Sequence, residues 1–181
     1  MNVWSWAGWA SLAALFFWAV GAYNRVMRLR NAIVAAYAQL DEALNQRAAL
    51  CAKLLGLLRP LLVTEQATFD ALETAQAEAH AAAQAVRARP FAADPLANLA
   101  VAAAVHAAAL TRLMSLIEHH GELREHAEVY TLADELKMVE RHRAFARQVF
   151  NQAVGAYNQA VQQFPTRVLS SFFGFAEARS L

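Results

Sequence analysis

Residues 3–23 read VWSWAGWASLAALFFWAVGAY and contain no charged side chain. Twenty residues of α-helix rise about 30 Å, which is the thickness of the hydrocarbon core of a bilayer. Three tryptophans gather near one end of the segment and Tyr23 lies at the other, where amphipathic rings prefer the membrane interface. We therefore predict a transmembrane helix, within an anchor of residues 1–24.

The charges that flank this segment predict which side of the membrane the rest of the chain occupies. Arg25, Arg28 and Arg30 follow the apolar run, whereas no lysine or arginine precedes it. By the positive-inside rule the N-terminus faces outward and the remaining chain is cytoplasmic. A secretory signal peptide is a competing interpretation, but it requires basic residues before a shorter apolar run. The other alternative, a core helix of a water-soluble protein, would leave this segment hydrophobic all round without a partner.

The overall composition favours an all-α protein. The 181 residues include 43 alanines, the best helix former, but only 6 glycines and 4 prolines, the worst. The net charge of +1 is too small for a nucleic-acid-binding surface, so no nucleic acid partner is expected. The single Cys51 cannot form an internal disulfide and is expected to be a small buried residue.

Hydrophobic periodicity predicts four helices, in a cytoplasmic helical domain of residues 25–165. The transmembrane helix is expected to continue into the first of them, until Gly56 and Pro60 interrupt the pattern. Either Thr64 or Pro60 begins the second helix, which runs to about Ala88.

Turn residues separate the remaining helices. Arg89–Pro95 is the clearest loop, and Asp94 is the predicted N-cap of a third helix that stops at Gly121. After a stretch that is irregular or a short helix, Thr131 is the predicted N-cap of a long fourth helix, which ends at Phe164 and the following proline. Four helices with short connections favour an up-and-down four-helix bundle.

A five-residue segment recurs on the fourth helix, as FNQAV at 150–154 and YNQAV at 157–161. Seven residues make two helical turns, so Asn151 and Asn158 share a face. Because an asparagine in an apolar seam can fix helix register, we treat Asn151, Tyr157 and Asn158 as candidate interaction residues. The alternative is that both asparagines face solvent and that the repeat is a coincidence.

The C-terminal tail of residues 166–181 is rich in phenylalanine, and Phe172, Phe173 and Phe175 are further candidate interaction residues. In an up-and-down bundle the fourth helix returns to the end where the anchor enters, so this tail is expected beside the bilayer. It either makes an interfacial membrane contact or folds back over the bundle end as core.

No spacing of residues indicates catalysis or metal binding. The chain has no Walker-type glycine loop, GxSxG or GxGxxG, and His119 and His120 would point about 100° apart on a helix. His106 is expected to be a core histidine with one hydrogen-bonded nitrogen, and His142 to lie on a solvated charged face. We therefore expect no cofactor, no metal and no enzymatic activity.

Several segments of the chain resemble the LemA family. They are YNRVMRLRN at 23–31, Glu135–Leu136, Ala146–Arg147, Asn151, Val154, Tyr157–Asn158, Phe164–Pro165 and FGF at 173–175. The resemblance covers nearly the whole chain, and it implies a bacterial inner-membrane protein with a cytoplasmic bundle of bromodomain-like topology and no established activity. Some relatives act in building intracellular membrane compartments. The chain departs from the family pattern at 50–55 and 120–123, so two connections are expected to differ.

Taken together, the sequence predicts a non-enzymatic, membrane-tethered interaction or scaffold protein that acts in membrane organisation. Its expected partners are the lipid bilayer and an unidentified protein, or further copies of itself. Small residues four apart, at Ala7 and Ser11 and at Ala10 and Ala14, would allow close helix packing in a homo-oligomer. An adaptor for a membrane protease or an envelope-stress system is the alternative function.

Overall fold

The computed structural model of this protein describes residues 3–164 and 166–181, except for the side chains of residues 3–5, 7, 122, 124 and 169–172. The described part of the chain is all helical and contains no strand, which confirms the predicted class. The five helices are α1 (Val3–Leu61), α2 (Gln66–Ala88), α3 (Ala93–His119), α4 (Ala127–Gln162) and α5 (Thr166–Phe173). Two short 3-10 helices, Val63–Glu65 and Gly121–Glu125, join α1 to α2 and α3 to α4.

Helix α1 is unbroken over 59 residues, a length of about 90 Å at 1.5 Å per residue. Its first part has large apolar side chains exposed on every face, including Trp9, Leu12 and Phe17. The first buried side chain is Val26, directly after Arg25. The apolar segment therefore projects from the domain as a continuation of its first helix.

The four long helices alternate in direction. Helix α1 packs along α4, and α2 packs along α3. Tyr37 joins three helices, because its ring lies 6.0 Å from that of Phe150 on α4 and its hydroxyl donates to the Ala83 carbonyl of α2 at 2.9 Å. The short α5 lies against α1 and α4, at the end of the domain from which the apolar segment projects.

Buried apolar side chains form two clusters along the domain. The cluster nearer the apolar segment includes Val26, Ile33, Tyr37, Leu40, Val86, Leu96, Leu99, Phe150, Val154 and Tyr157. The far cluster includes Cys51, Leu54, Leu58, Phe69, Leu72, Leu110, Leu113, Ile117, Val129 and Leu136. Cys51 is buried, as expected. Full burial of one large apolar side chain contributes about 2 kcal/mol, so both clusters hold the helices together.

The second helix begins later than predicted, at Gln66 rather than at Thr64 or Pro60. Helix α1 continues through Gly56 and ends at Leu61, one residue after Pro60, so the proline marks its last turn. The Gln66 side chain then donates to the carbonyls of Arg59 and Leu62 at 3.2 and 3.4 Å. These bonds satisfy carbonyls at the end of α1 that have no partner within the helix.

Two other predicted caps are wrong. Helix α4 begins at Ala127, so Thr131 lies in its second turn, where its hydroxyl donates back to the Ala127 carbonyl at 3.0 Å instead of accepting from a free N–H. Helix α3 begins at Ala93, which places Asp94 inside the first turn, where its carboxylate still faces the positive end of the helix dipole. The tail forms the additional helix α5 before it becomes irregular at residue 174.

Among the residues that the structure describes, α3 is the one helix that is long and apolar enough to cross a membrane by length and composition. Core helices of water-soluble proteins meet the same criterion, and α3 packs on α2 with leucines such as Leu99 and Leu113 in the core. The membrane span at residues 3–23, where the side chains of 3–5 and 7 lie outside the described part of the chain, stays a prediction.

We predict that Phe150→Ala will lower the free energy of unfolding by about 3–5 kcal/mol, because it leaves a cavity in the near cluster. The side chain of Phe150 is 0% exposed, whereas that of Phe145 on the same helix is 64% exposed. Phe145→Ala should therefore change the free energy by no more than about 0.5 kcal/mol. Urea unfolding of the full chain in mild detergent, followed by circular dichroism, measures both. Equal losses would contradict this packing.

Candidate functional site: a tail clamped on helix α4

The two asparagines of the sequence repeat bind the main chain of the C-terminal tail. Asn158 accepts a hydrogen bond from the Ala178 N–H at 2.8 Å and donates one to the Ala178 carbonyl at 2.8 Å. Asn151 makes the same pair of bonds with Leu181, at 2.8 and 2.7 Å. Each side-chain amide therefore satisfies both main-chain groups of one tail residue.

The spacing of the repeat explains why both pairs form at once. Seven residues of helix rise about 10.5 Å, so that distance separates Asn151 from Asn158 along α4. The three residues from Ala178 to Leu181 cover about 10 Å only when the backbone is extended. The tail is thus an extended segment that runs antiparallel to α4 and belongs to no sheet; we call residues 175–181 the clamped strand. The asparagines lie against this strand, not in a seam between helices and not in open solvent.

Tyr157 adds a third anchoring point. Its hydroxyl donates to the Ala176 carbonyl at 3.0 Å, and burial raises its pKa, which keeps the hydroxyl protonated as a donor. We call Asn151, Tyr157 and Asn158 together the tail clamp. All of its bonds to the tail are made to main-chain atoms.

The phenylalanines before the clamped strand lie against the junction between the apolar segment and the domain. The Tyr23 ring centroid is 5.3 Å from that of Phe173 and 5.9 Å from that of Phe175. Gly174 between them adopts φ +67°, a left-handed conformation that glycine accepts at little cost and that ends α5. Phe173 remains 55% exposed, and the Phe172 side chain lies outside the described residues. The tail therefore returns to the start of the domain, and its contact with a membrane stays a prediction.

The structure separates the three arginines that follow the apolar segment. Arg30 lies over the Phe91 ring, with its Cζ 4.3 Å from the centroid, and 5.8 Å from the Phe175 centroid. Such contacts favour a cation at the aromatic face. Arg25 and Arg28 are exposed. Arg30 thus stabilises the tail site, and the other two carry positive charge at the surface.

A second polar site divides the core, and the sequence analysis missed it. Each long helix contributes one residue to this polar layer: Arg47 from α1, Gln76 from α2, His106 from α3 and Glu140 from α4. Arg47 is 2% exposed, and its Nη1 lies 3.3 Å from Oε1 of Glu140. Glu140 thus balances the buried charge of Arg47, and it also accepts from Arg143 with an oxygen–nitrogen distance of 3.0 Å, so that two guanidinium groups share one carboxylate.

His106 is the most unusual member of the polar layer. It is 1% exposed, and neither ring nitrogen has a hydrogen-bond partner among the described residues, although one such bond was expected. Burial, together with the nearby Arg47 guanidinium, lowers its pKa from 6.5 to about 4. His106 and Gln76 line a cavity of about 20 Å³ beside Arg47. The imidazole is therefore neutral near pH 7 and enclosed by the four helices.

One signal in the sequence could have revealed part of the polar layer. Arg47 lies three residues after Leu44 and four before Cys51, so it continues the buried stripe of α1. Glu140 gives no such signal, because together with Arg141 and Arg143 it surrounds His142 in sequence, and this run of charge predicts a solvated face. Arg47 and Glu140 are 93 positions apart in sequence, so no local sequence pattern predicts their pairing.

A family model described as the LemA family matches residues 36–181, which is most of the chain. The protein therefore belongs to the LemA family, and the resemblance seen in the sequence is confirmed. The match includes the tail clamp, the clamped strand and all four residues of the polar layer. No curated protein matches the chain.

We predict that Asn158→Leu will accelerate tryptic cleavage after Arg179 about 30-fold. The substitution removes two hydrogen bonds worth about 1 kcal/mol each, and cleavage follows the population of the released tail. The mass of the chain in mild detergent reports the loss of residues 180–181. Gln159→Leu, at an exposed neighbouring position on α4, should leave the rate unchanged. Equal rates for the two variants would argue against the clamp.

We also predict that His106 makes stability depend on pH. Between about pH 6.5 and 4 the unfolded chain binds a proton at this residue and the folded chain does not. The contribution of His106 to the free energy of unfolding is therefore fully present above pH 6.5 and decreases as the pH drops toward 4. The total decrease is about 3 kcal/mol.

His106→Leu should remove that part of the pH dependence in urea unfolding measured from pH 7 to pH 4. His80→Leu, which changes an exposed histidine of α2, should retain it. An unchanged pH profile in His106→Leu would show that this imidazole titrates normally in the folded protein.

Proposed function

We propose that this protein is a membrane-anchored scaffold that presents a helical domain to partner proteins or to other copies of itself. In this proposal, residues 3–23 cross the inner membrane with the N-terminus outside. The alternating helices α1–α4 form an up-and-down four-helix bundle of bromodomain-like topology in the cytoplasm.

The apolar segment at the start of α1 is the observation that carries this proposal. Trp9 and Phe17 are each 72% exposed, Leu15 is 64% exposed and Trp18 is 40% exposed. At about 100° per residue these four positions surround the helix on all sides, and an uncovered helix that is apolar all round requires a lipid or protein environment. A bilayer fits because the segment is about 30 Å long and ends at Tyr23, whose ring suits the membrane interface.

The charges next to this segment support the orientation. Arg25 and Arg28 are exposed at the point where the domain begins, and loops or domains that follow such residues tend to remain cytoplasmic. The tail clamp returns Phe173 and Phe175 to the same end of the domain. These two phenylalanines would then lie near the membrane surface.

A binding role is supported by the distribution of polar and apolar residues. His106 in the polar layer is 1% exposed, and the cavity beside it, of about 20 Å³, is too small for a substrate larger than a water molecule. The outside of the domain carries exposed apolar side chains instead, including Val101 and Val105 on α3 and Met138 and Phe145 on α4. These surfaces suit contacts with other proteins better than chemistry.

The anchor is tested by placing charge in each of the two apolar helices. Leu12→Arg combined with Phe16→Arg should move the protein from the membrane to the soluble fraction, because each arginine costs several kcal/mol at the centre of a bilayer. Val101→Arg combined with Val105→Arg, which changes exposed residues of α3, should leave it in the membrane after carbonate extraction.

The reverse outcome would identify α3 as the membrane-interacting helix and would contradict the proposed anchor. Protease added to intact spheroplasts reports the orientation in the same experiment. We expect the helical domain to remain uncut until the membrane is permeabilised, and cleavage without permeabilisation would contradict the N-outside topology.

A further inference from the structure

We propose that the tail clamp is a binding site for an extended peptide, and that the tail of a second copy of this chain can occupy it. Copies of the protein would then be linked by exchange of their C-terminal tails. The clamp residues, the strand that fits them and the junction that frees the strand are all described in the structure.

The contacts show what the clamp recognises. Asn151 and Asn158 each bind one N–H and one carbonyl of the same residue, and Tyr157 binds one further carbonyl. These groups exist in almost any extended chain, so the clamp recognises backbone in the way that a sheet edge does. The clamp alone is therefore not restricted to the strand to which it is joined.

Side-chain packing selects among possible strands. Ala178, which pairs with Asn158, is 7% exposed and belongs to the near core cluster, so a large charged side chain there would have to displace its neighbours. Phe175 and Leu181, three residues on either side, pack against the near core cluster. The required strand therefore carries an aromatic, a small and an aliphatic residue at intervals of three. The tail of another copy satisfies this pattern in full, since it has the same sequence.

The strand is also attached in a way that permits exchange. Gly174 separates it from α5, and residues 175–181 have no regular secondary structure of their own. A tail that leaves its own clamp and enters another loses and regains the same hydrogen bonds. The equilibrium between monomers and copies linked by exchanged tails is then set by protein concentration, as in domain swapping. Tethering of copies to one membrane would raise their effective concentration, a consequence that rests on the proposed anchor.

Two complementary full-length variants in mild detergent test the proposal. The clamp variant, Asn151→Leu with Asn158→Leu, keeps a normal tail but cannot hold one. The tail variant, Ala178→Arg, keeps a normal clamp but cannot fill it. We expect the mixture to form a 1:1 heterodimer by native mass spectrometry, because the tail of the first chain fits the clamp of the second.

Neither variant alone should dimerise to the same extent. A matched control replaces Ala178→Arg by Ser180→Arg, which introduces the same side chain at an exposed position of the tail. That chain fills its own clamp, so its mixture with the clamp variant should yield at least tenfold less heterodimer.

Absence of a heterodimer between variants that retain native helicity would overturn the proposal. A heterodimer that persists after Asn158→Leu is added to the tail variant would also overturn it.

If the clamp variant fails to fold, a synthetic peptide of residues 173–181 replaces it. The peptide should bind the tail variant saturably, and at least tenfold more tightly than a peptide carrying Ala178→Arg. Equal binding of the two peptides would overturn the proposal. None of these results depends on the membrane anchor.

Discussion

The pairing of two asparagine side chains with the backbone of the tail determines the arrangement at one end of this protein. Asn158 holds Ala178 and Asn151 holds Leu181, each through two hydrogen bonds of 2.7–2.8 Å. With the strand held there, Phe175 packs beside Tyr23 and Arg30. The clamp thereby connects α4 to the point where the apolar segment leaves the domain. Any movement of the tail would change the contacts of Tyr23 and Arg30 at that point.

Helix α1 joins the exposed apolar segment to the packed helical domain. Its first part exposes apolar rings on all sides, and the remainder contributes to both core clusters and, through Arg47, to the polar layer between them. A buried arginine is tolerated only while Glu140 faces it, because removing one member of such a pair costs about 3–5 kcal/mol. The polar layer therefore restricts how α1 and α4 can slide, which keeps the apolar segment and the tail clamp in fixed relation.

The helical class and the approximate helices could be predicted, since alanine content and a period of 3.6 residues are local properties. The cap at Thr131 could not, because the same hydroxyl can accept from an N–H or donate to the preceding turn, and tertiary packing decides between them. The repeat identified Asn151 and Asn158 correctly as a pair on one face. Their partner was not predictable, because the clamp binds main-chain atoms, which every residue shares. The polar layer was missed because its four members come from four helices.

Residue-resolved hydrogen exchange of the tail amides tests the clamp most directly. If the asparagines hold the strand, the N–H groups of Ala178 and Leu181 should exchange about tenfold more slowly than those of Glu177 and Arg179, which the clamp does not bind. The slow exchange at Ala178 should disappear in Asn158→Leu. Uniformly fast exchange across residues 176–181 of the unmodified protein would contradict the account.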